Sequence, residues 1–469
     1  MAESTAQIEV TNWFGGIVSH PAVIVEAQSV EEIVAVLKDR ERYPSPVRAV
    51  GSNHSTTPCG VADGGTLIVM RGMDRIVEIR EDSVTAQAGA LYIDVAQELR
   101  KRSLQFFVNV ELGNLTIGSA ACGGTKDASM PDEFGQVASY ATSIRMITPA
   151  GDLVEITEAD GELMQVARSS YGLFGIVYEV TFKVRPLVPM RVYHRHYRFE
   201  EFARELPALQ AQGESIMMYI NPFTDTILVE FRKYHDHLAG QKVTNWQWRL
   251  RNAIWSHYAP LYGYLVGRFV PGRGFREFLT DVYNRLIVLV ATAVVRGEST
   301  AATSQQIKYP FVSDNSRYIF SIWAFPEERY VDCLRRYFEF SKEYHSRTGY
   351  RVNLLSVGYR IRADQSSLFS YSFDGPVMTF DPVSTGNPGW NEFLVAYNEL
   401  CSELGGVPLF NQTNLLTREQ VTKAFRDRPA LFDGYRRRYD PTDRLLNPYF
   451  RDLLVEQTAG QPSTATGGA

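Results

Sequence analysis

The chain has 469 residues, of which 45% are apolar, 22% charged and 12% aromatic, a composition that excludes a small peptide, a collagen-like repeat and a globally disordered chain. Its 48 basic and 53 acidic residues give a net charge of −5 and are interspersed along the chain, which argues against nucleic acid as the main partner.

Short strands and helices alternate in the first part of the sequence. A predicted strand at Ala22–Glu26 is followed by a Ser-x-x-Glu capping box and a predicted helix over Ile33–Arg40. A strand at Val47–Val50 then runs into the small polar loop Gly51–Ser55, and another strand is predicted at Thr66–Met70. The pattern predicts an α/β unit with a loop placed at a strand end.

A second run of short elements leads to a stretch of small residues. Strands are predicted at Ile76–Ile79 and Val84–Ala88, and a helix over Ile93–Arg102. The following stretch, Asn114–Thr125, has little side-chain volume, so its backbone is expected to approach a bound group closely. A hairpin and a strand at Ile176–Val184 complete this part of the chain.

A second domain is predicted from about Arg191, where Tyr, Phe and Trp become frequent. Within it, Trp246–Arg296 is both aromatic and basic. We interpret this segment as an aromatic core with a solvated basic rim, and a peripheral membrane or protein contact is the alternative. The Gly-, Ser- and Thr-rich tail from Thr458 is predicted to be disordered.

The cysteines and apolar runs indicate the environment of the protein. The four cysteines form no CxxC pair, so neither a disulfide scaffold nor a cysteine metal site is expected. No signal-peptide pattern is present, and the longest apolar run, Leu286–Val295, is shorter than the ~20 residues that span a bilayer. We therefore expect a cytoplasmic protein with no transmembrane segment.

The common nucleotide and hydrolase signatures GxGxxG, GxxxxGK[ST] and GxSxG are absent. The pairs His194/His196 and His235/His237 lack further ligands at metal-site spacing and are interpreted as surface histidines, so no metal site is predicted. The glycine-bearing loops Arg48–Ser55 and Asn114–Thr125 remain, and such loops can wrap a pyrophosphate through backbone N–H groups.

Six features in order resemble the FAD-linked oxidases of the vanillyl-alcohol oxidase type, whose FAD domain is PCMH-like. They are Pro21–Glu26 with Ser29–Ile33, Arg48–Ser55, Ala86–Gly89, Leu115–Thr125, Tyr171–Val177 before Glu179–Thr181, and Tyr439–Tyr449. The resemblance implies an α+β fold. It places a PCMH-type FAD domain of two α/β subdomains at 15–187, a cap or substrate domain with an antiparallel sheet and helices at 188–415, a segment closing the flavin site at 416–457, and a disordered tail at 458–469.

The loop Gly-Ser-Asn-His-Ser and the terminal Asp-Pro…Asn-Pro-Tyr segment are most similar to the branch of sugar-lactone and alditol oxidases. In that branch the histidine at the His54 position is commonly bonded to the 8α-methyl carbon of the flavin. The resemblance thus implies FAD attached through His54, and the alternative is non-covalent FAD with His54 lining the loop. A second bond through Cys59 or Cys122 is not expected, since Asn114 stands where that cysteine falls.

The resemblance assigns cofactor-binding roles to residues of these loops and strands. They are Arg48, Val50, Gly51, Ser52, Asn53, His54, Ser55, Leu115, Thr116, Gly118, Ser119, Cys122, Gly123, Thr125, Gly175, Ile176, Val177 and Asn447.

The substrate side departs from that branch. Its Glu-x-Arg pair becomes Gly358 and Arg360 here, and Gln412 stands where a lysine is expected. A glutamine supplies only a neutral dipole, so polyol chemistry is in doubt. We expect a more neutral pocket for a less polar substrate, formed by Tyr359, Tyr371, Asn411, Gln412 and Asn414, with Tyr359, Arg360, Tyr371 and Gln412 as catalytic candidates. The alternative is that these residues only pack the cap sheet.

The resemblance implies an FAD-dependent oxidoreductase. It would take hydride from a hydroxyl- or amine-bearing small molecule to flavin N5, with O₂ as the expected acceptor. A flavin dehydrogenase with another acceptor, a reductase of carbon–carbon double bonds, and a non-catalytic flavin-binding interaction protein are the alternatives.

Overall fold

The computed structural model describes residues 8–243, 246–294, 297–300, 307–308 and 318–455. In that part of the chain, helices accompany one parallel and several antiparallel sheets. The predicted α+β class is confirmed.

Short strands make up three sheets of the first half, and those that the sequence predicted lie close to their predicted bounds. In chain order they are β1 (Val10–Thr11), β2 (Val18–Ser19), β3 (Val23–Glu26), β4 (Val47–Val50), β5 (Thr66–Val69), β6 (Ile76–Ile79), β7 (Ser83–Gln87), β8 (Leu104–Phe106), β9 (Ala141–Ile147), β10 (Leu153–Thr157) and β11 (Ile176–Pro186). Strands β3, β5 and β4 form a parallel sheet in that order. Strands β10, β9, β11, β7 and β6 form an antiparallel sheet, with β8 paired to β11, and β1 pairs with β2.

Four helices cover these sheets in the described residues, namely α1 (Val30–Lys38), α2 (Tyr92–Lys101), α3 (Ile117–Cys122) and α4 (Glu162–Ala167). The crossover helix α1 begins three residues before the predicted start because Ser29 caps it. The Ser29 hydroxyl accepts the N–H of Glu32 at 3.2 Å, and α1 then buries Ile33, Val36 and Leu37 against the first core.

The second half is built on a long antiparallel sheet. Its strands are β12 (Met190–Arg198), β13 (Ser215–Asn221), β14 (Thr226–Tyr234), β15 (Gly297–Thr300), β16 (Ile319–Phe320), β17 (Trp323–Pro326), β18 (Ser356–Ile361), β19 (Val377–Thr379), β20 (Val383–Ser384) and β21 (Val407–Pro408). Across the described residues, the sheet order is β15-β12-β14-β13-β18-β19-β17-β21, and β16 pairs with β20. This is the cap sheet.

Helices lie beside the cap sheet. They are α5 (Phe199–Ala211), α6 (Trp246–Ala253), α7 (Ala259–Phe269), α8 (Arg273–Val294), α9 (Tyr330–Thr348) and α10 (Trp390–Glu403), with a π-helical turn at Ile254–Tyr258 between α6 and α7. Helices α5, α9 and α10 bury aromatic and aliphatic side chains against the sheet, such as Phe202, Tyr337 and Tyr397. The cap therefore has a core of its own.

The last helices return to the first half of the chain. They are α11 (Arg418–Phe425), α12 (Arg428–Tyr439) and α13 (Pro448–Leu454). Phe425, Phe432 and Phe450 lie in the same core as the strands and helices of residues 27–184. The C-terminal segment is thus part of the first core although the whole cap precedes it in sequence.

His194 was interpreted as a surface residue, but its Nε2 lies 3.0 Å from Glu230 Oε2 and both side chains are buried in the cap sheet. The predicted disordered tail, residues 458–469, lies outside the described residues. In the residues that the structure does describe, no helix has the length and apolar character needed to cross a membrane.

Candidate active site

Two adjoining cavities meet where the first half of the chain faces the cap sheet. The loop cavity is walled by the loop after β4 and by the stretch that includes α3, with about 1040 Å³ of space not filled by protein, its open mouth included. The cap cavity is walled by β13, β18 and the π-helical turn, with about 920 Å³ measured in the same way. Leu112, Thr125 and Gln412 belong to both walls, so the two spaces adjoin there.

The loop after β4 presents backbone donors to the loop cavity. None of the N–H groups of Ser52, Asn53, His54 and Ser55 donates to an acceptor in the described residues. Asn53 has a φ of 52°, in the left-handed region, which turns neighbouring amides toward one side. The loop follows the carboxyl end of a parallel strand, a usual position for ligands. It is suited to an anion.

Glycines allow the two loops of this cavity to approach each other. A Cβ on Gly51 would lie 2.1 Å from Thr116 Oγ1, and a Cβ on Gly118 would lie 2.9 Å from the Cβ of Ala88. Both distances are too short for any side chain. The small-residue stretch is therefore required for packing of the loops themselves as well as for space in the cavity.

His54 is held from one side and open on the other. Its Nε2 lies 2.8 Å from Asn114 Nδ2, and its ring centroid lies 5.0 Å from that of Trp13. Its Nδ1 is buried and has no hydrogen-bond partner in the described part of the chain. Burial lowers the pKa of His54 to about 4, so the imidazole is neutral at pH 7, with a proton on one ring nitrogen and a nucleophilic lone pair on the other.

Arg48 joins the loop cavity to the rest of the fold. Its guanidinium donates hydrogen bonds to the carbonyls of Cys59, Tyr171 and Leu445 at 2.6 to 3.1 Å, with a longer one to Gly172 at 3.4 Å. Burial lowers its pKa to about 10, which leaves it charged at pH 7. Arg48 therefore ties β4 to the C-terminal segment, and carbonyls occupy the donors that could have reached a phosphate.

The cap cavity contains a buried ion pair. Lys126 Nζ lies 2.9 Å from Asp381 Oδ2 and 3.3 Å from the ring centroid of Tyr359, and both charged side chains are 4% exposed. Thr379 donates a second hydrogen bond to Oδ2, whereas Oδ1 has no partner within the described residues. Burial raises the pKa of Asp381 to about 6 and lowers that of Lys126. At pH 7 the pair supplies a carboxylate oxygen that is free to accept a proton.

Most of the remaining cap-cavity wall is apolar. It includes Trp13, Met217, Trp255, Phe320, Val357 and Val383. The rings of Tyr219 and Trp255 stack with centroids 5.5 Å apart, which forms one flat side of the space. Such a wall suits a ligand with an apolar face and few polar groups.

Comparisons with known proteins agree with this geometry. Residues 21–157 match the family model described as an FAD binding domain. L-gulono-1,4-lactone dehydrogenase of Mycobacterium tuberculosis (strain ATCC 25618 / H37Rv) is 23% identical over 453 residues, covering 95% of this chain and 98% of the relative. L-gulonolactone oxidase of Bos taurus is 22% identical over 457 residues, with the same two coverages. The family model and these relatives support the resemblance to FAD-linked oxidoreductases of the PCMH type that the sequence indicated.

A solved structure supports the same fold for this flavoprotein. Cholesterol oxidase from B. sterolicum superposes with a TM-score of 0.68 at 14% identity, over 96% of this chain and 97% of that chain. The resemblance inferred from the sequence and the expectation of FAD are confirmed, and the protein is an FAD-dependent oxidoreductase.

The loop cavity of the flavoprotein fits FAD. Amides of the loop after β4 have no acceptor in the part of the chain that the structure describes, and they suit the negative charge of a pyrophosphate. His54, whose Nδ1 has no partner among the described residues, lines a space that is bordered by small residues and adjoins the cap cavity. When bound, FAD would accept hydride at the junction of the two cavities.

The loop cavity contains nearly all of the residues that the sequence assigned to the cofactor. The exceptions are Ile176 and Asn447. Ile176 pairs with Ile147 inside the antiparallel sheet and is fully buried. The Asn447 side chain caps α13 and donates to the carbonyls of Pro58 and Val61. Both positions support the cavity from behind its wall.

Two of the four catalytic candidates line the cap cavity and two do not. Tyr359 and Arg360 are neighbours on strand β18 and therefore lie on opposite faces of the sheet. Tyr359 lines the cap cavity, as does Gln412 at the junction. Arg360 is turned away, and its guanidinium donates to Glu327 at 2.9 Å and to the carbonyl of Gln210 at 3.0 Å. Tyr371 is buried in an apolar cluster beside Tyr359 and lines neither cavity. Of the four candidates, Tyr359 and Gln412 are therefore the two that are placed to touch a ligand.

The expectation of a neutral pocket is wrong. Glu111, Lys126, Asp127 and Asp381 all contribute to the cap cavity wall. Of the neutral side chains expected there, Asn411 lines the loop cavity instead, and Asn414 lines neither. Lys126 directly follows the small-residue stretch Asn114–Thr125, and this position is the sequence signal that could have indicated a site residue. Its partner Asp381 is 255 residues away, and no sequence spacing indicates the pair.

Proposed function

We propose that the protein oxidises a hydroxyl-bearing small molecule bound in the cap cavity, with FAD in the loop cavity and O₂ as the final acceptor. The wall that the two cavities share at Leu112, Thr125 and Gln412 carries this proposal, because a substrate carbon in the cap cavity would lie next to a flavin in the loop cavity. Relatives whose names describe lactone and cholesterol substrates support a hydroxyl group as the site of oxidation.

The substrate we propose is a compact hydroxylated compound with an apolar or aromatic face, rather than an open-chain polyol. Trp255, Phe320 and Val383 give the cap cavity an apolar wall that would leave several hydroxyl groups without hydrogen-bond partners. The polar groups are instead concentrated around Lys126 and Asp381, which suits a single reacting hydroxyl.

Asp381 is the proton acceptor in this proposal. Loss of hydride from an alcohol carbon requires that the hydroxyl proton move to a base, and Oδ1 of Asp381 is a buried carboxylate oxygen without a partner in the described residues. Lys126 lies between Asp381 and the ring of Tyr359, where it holds the carboxylate in its charged form and stabilises negative charge on the substrate oxygen. The Gln412 amide orients the substrate at the junction.

We also propose that His54 carries the flavin covalently. Nδ1 of the neutral imidazole is buried and has no partner in the described residues, which supports it as the attachment atom. This requires the tautomer with the proton on Nε2, in which the side-chain amide of Asn114 presents its oxygen to the Nε2–H group. The remaining wall residues predicted for the cofactor, together with Tyr171 and Gly172, would enclose it without a covalent bond.

The domain division 15–187, 188–415 and 416–457 remains a proposal, supported by the two separate cores and by the return of the last helices to the first core. A cytoplasmic location is proposed as well. It is supported by four free cysteines, of which three are buried, since thiols persist in a reducing compartment.

The first experiment is a visible spectrum of the purified protein, followed by acid precipitation of the wild type and of His54→Ala. Flavin absorption with a yellow pellet, and a colourless pellet with yellow supernatant for the variant, is expected. A yellow supernatant from the wild type would overturn the covalent bond alone, and absence of flavin after reconstitution would overturn the function.

A second experiment addresses substrate and acceptor. Hydroxylated ring compounds and open-chain polyols are compared by reduction of the bound flavin without oxygen, and then by oxygen uptake on an electrode. We expect flavin reduction by the first group and oxygen uptake on turnover. Flavin reduction without oxygen uptake, restored by an artificial dye, would replace the oxidase assignment with a dehydrogenase.

A further inference from the structure

Helices α7 and α8 expose their apolar faces to solvent. In α8, Phe275, Phe278, Val282, Leu286 and Leu289 are all exposed, and their spacing of three and four residues places them along one stripe. The opposite face buries polar groups, with Thr280 at 7% and Asn284 at 4% exposure. A helix that only packed on a protein core would have the reverse arrangement.

Helix α7 and the segment before it continue this surface. Tyr258, Leu265 and Phe269 are exposed at near-helical spacing, and so are Trp246 and Leu250 of α6. Of the eighteen large exposed apolar side chains in the described residues, ten lie between Trp246 and Leu289. We call these ten side chains the hairpin face, and their concentration exceeds the scatter of single exposed residues that is normal on a protein surface.

The hairpin is internally ordered. Tyr262 of α7 stacks on Tyr283 of α8 with ring centroids 3.7 Å apart, and the Tyr262 hydroxyl donates to the carbonyl of Leu279 at 2.7 Å. The two helices therefore pack against each other through one side and keep their exposed apolar side chains in fixed positions. Phe275 and Phe278 add a stacked pair at 6.4 Å near the turn.

Most charges around the hairpin face are positive. Residues 246–294 contain six arginines and two acidic residues, in a chain whose net charge is −5. Glu277 is paired with Arg273 and His345, and Asp281 is paired with Arg351. Arg268 and Arg285 are exposed beside the apolar side chains. The surface is thus apolar with a basic border, and both of its acidic groups are already neutralised.

We propose that the hairpin face docks on an anionic lipid surface. Apolar aromatic and aliphatic side chains that enter the headgroup boundary, together with arginines that meet lipid phosphates, form the usual interfacial helix arrangement. A protein partner would be expected to offer acids to the arginines and a shaped pocket to the aromatic rings, whereas lipid requires only this general combination. The proposal does not depend on the reaction described above.

The docking would place the cap cavity next to the membrane. Trp255, in the π-helical turn before α7, lines the cap cavity, and Ile287 on the inner side of α8 belongs to the same apolar cluster. The outer sides of these helices form the hairpin face. One helix diameter of about 10 Å would then separate the lipid from the wall of the cavity.

The test is co-sedimentation of the flavin-containing protein with vesicles of phosphatidylcholine alone and of phosphatidylcholine with phosphatidylglycerol. We expect binding to the anionic vesicles that weakens with salt. The triple variant Phe275→Ser/Phe278→Ser/Leu286→Ser should lower the partition coefficient about tenfold or more, since each side chain contributes buried apolar area. The control Val77→Ser/Leu153→Ser changes exposed residues elsewhere and should bind as the wild type does.

A second variant tests the charges. Arg268→Glu/Arg285→Glu should reduce binding to the anionic vesicles and remove most of its salt dependence, with the flavin spectrum unchanged. The lipid proposal is overturned if the wild type sediments with neither kind of vesicle. It is also overturned if the wild type binds both kinds equally at all salt concentrations.

Two further outcomes would assign the hairpin face to something other than lipid. A dimer in solution that the triple variant dissociates would assign it to a second copy of the chain. A lower melting temperature of the triple variant with unchanged sedimentation would mean that the chain covers this face itself. Either result overturns the proposal.

Discussion

At the residue scale, the Lys126–Asp381 pair is the feature with the most direct chemical consequences. Two opposite charges are buried together at 4% exposure beside an apolar cavity, an arrangement that costs desolvation energy and that a purely structural role would not require. Burial raises the pKa of Asp381 to about 6 while Lys126 opposes that rise. The pKa of this carboxyl group is therefore close to neutral pH, as an effective general base requires.

Replacement of the base should remove most of the turnover. We expect Asp381→Asn to lower kcat about 10²- to 10⁴-fold, because proton transfer in the transition state is lost while the shape of the cavity is kept. Glu111→Gln is the matched control, since Glu111 lies in the same wall but is paired with Arg251 at 3.3 Å. A larger loss in the control would identify Glu111 as the base instead.

The lysine should control the pH at which the base works. Asp381 must be deprotonated to accept a proton, so kcat should fall as the pH drops through about 6. In Lys126→Met the opposing charge is lost and the pKa of Asp381 rises further, which moves the acidic limb of the profile up by about 1 to 3 pH units. A pH profile of kcat measures this shift, and an unmoved limb would show that another group titrates.

At the scale of elements, the contact between the loop after β4 and the start of α3 determines whether the loop cavity forms. Gly51→Ala places a methyl group 2.1 Å from Thr116 Oγ1, so the two loops must separate. We expect a loss of about 1 to 3 kcal/mol in the free energy of unfolding together with weaker flavin retention.

Gly267 of α7 supplies the control for this substitution, because an added Cβ there meets no atom of the described residues within 4 Å. Gly267→Ala should therefore stabilise the protein slightly, by up to about 1 kcal/mol. Equal effects of the two substitutions in a denaturation experiment would refute the steric explanation.

Sequence patterns predicted the bounds of individual strands and helices more accurately than they predicted contacts between them. The strand Val47–Val50 was predicted at its observed bounds, and the Ser29 cap correctly indicated the helix that becomes α1. Local hydrogen bonds and side-chain periodicity determine these features. The same alternation in β18 puts Tyr359 in the cap cavity and Arg360 on the other side, but the direction could be assigned only after β13 and β19 were known as its neighbours.

At the scale of the whole molecule, the C-terminal segment completes a core that the first half begins. Phe432 of α12 is fully buried, and its ring stacks on Phe174 with centroids 5.1 Å apart. Arg48 adds a polar connection to the same segment through the carbonyl of Leu445. The loop cavity therefore depends on residues that follow the entire cap in the sequence.

The two cores should respond differently to comparable damage. Phe432→Ala and Phe393→Ala each remove a buried ring, the first from the core next to the loop cavity and the second from the cap core. Both should cost about 3 to 5 kcal/mol. We expect flavin to be released at lower denaturant concentration only in Phe432→Ala, measured by flavin fluorescence, and equal release in both would indicate a single cooperative unit.

The sequence by itself indicated most strands and helices of the first half and the two glycine-bearing loops, one of which contains His54, because each depends on residues close together in the chain. Only the tertiary structure decided which charges reach the cap cavity. Lys126 and Asp381 meet across 255 residues through the packing of the first half against the cap sheet. A hydrophobic pattern specifies which face of an element is buried, but it does not specify which other buried face lies opposite.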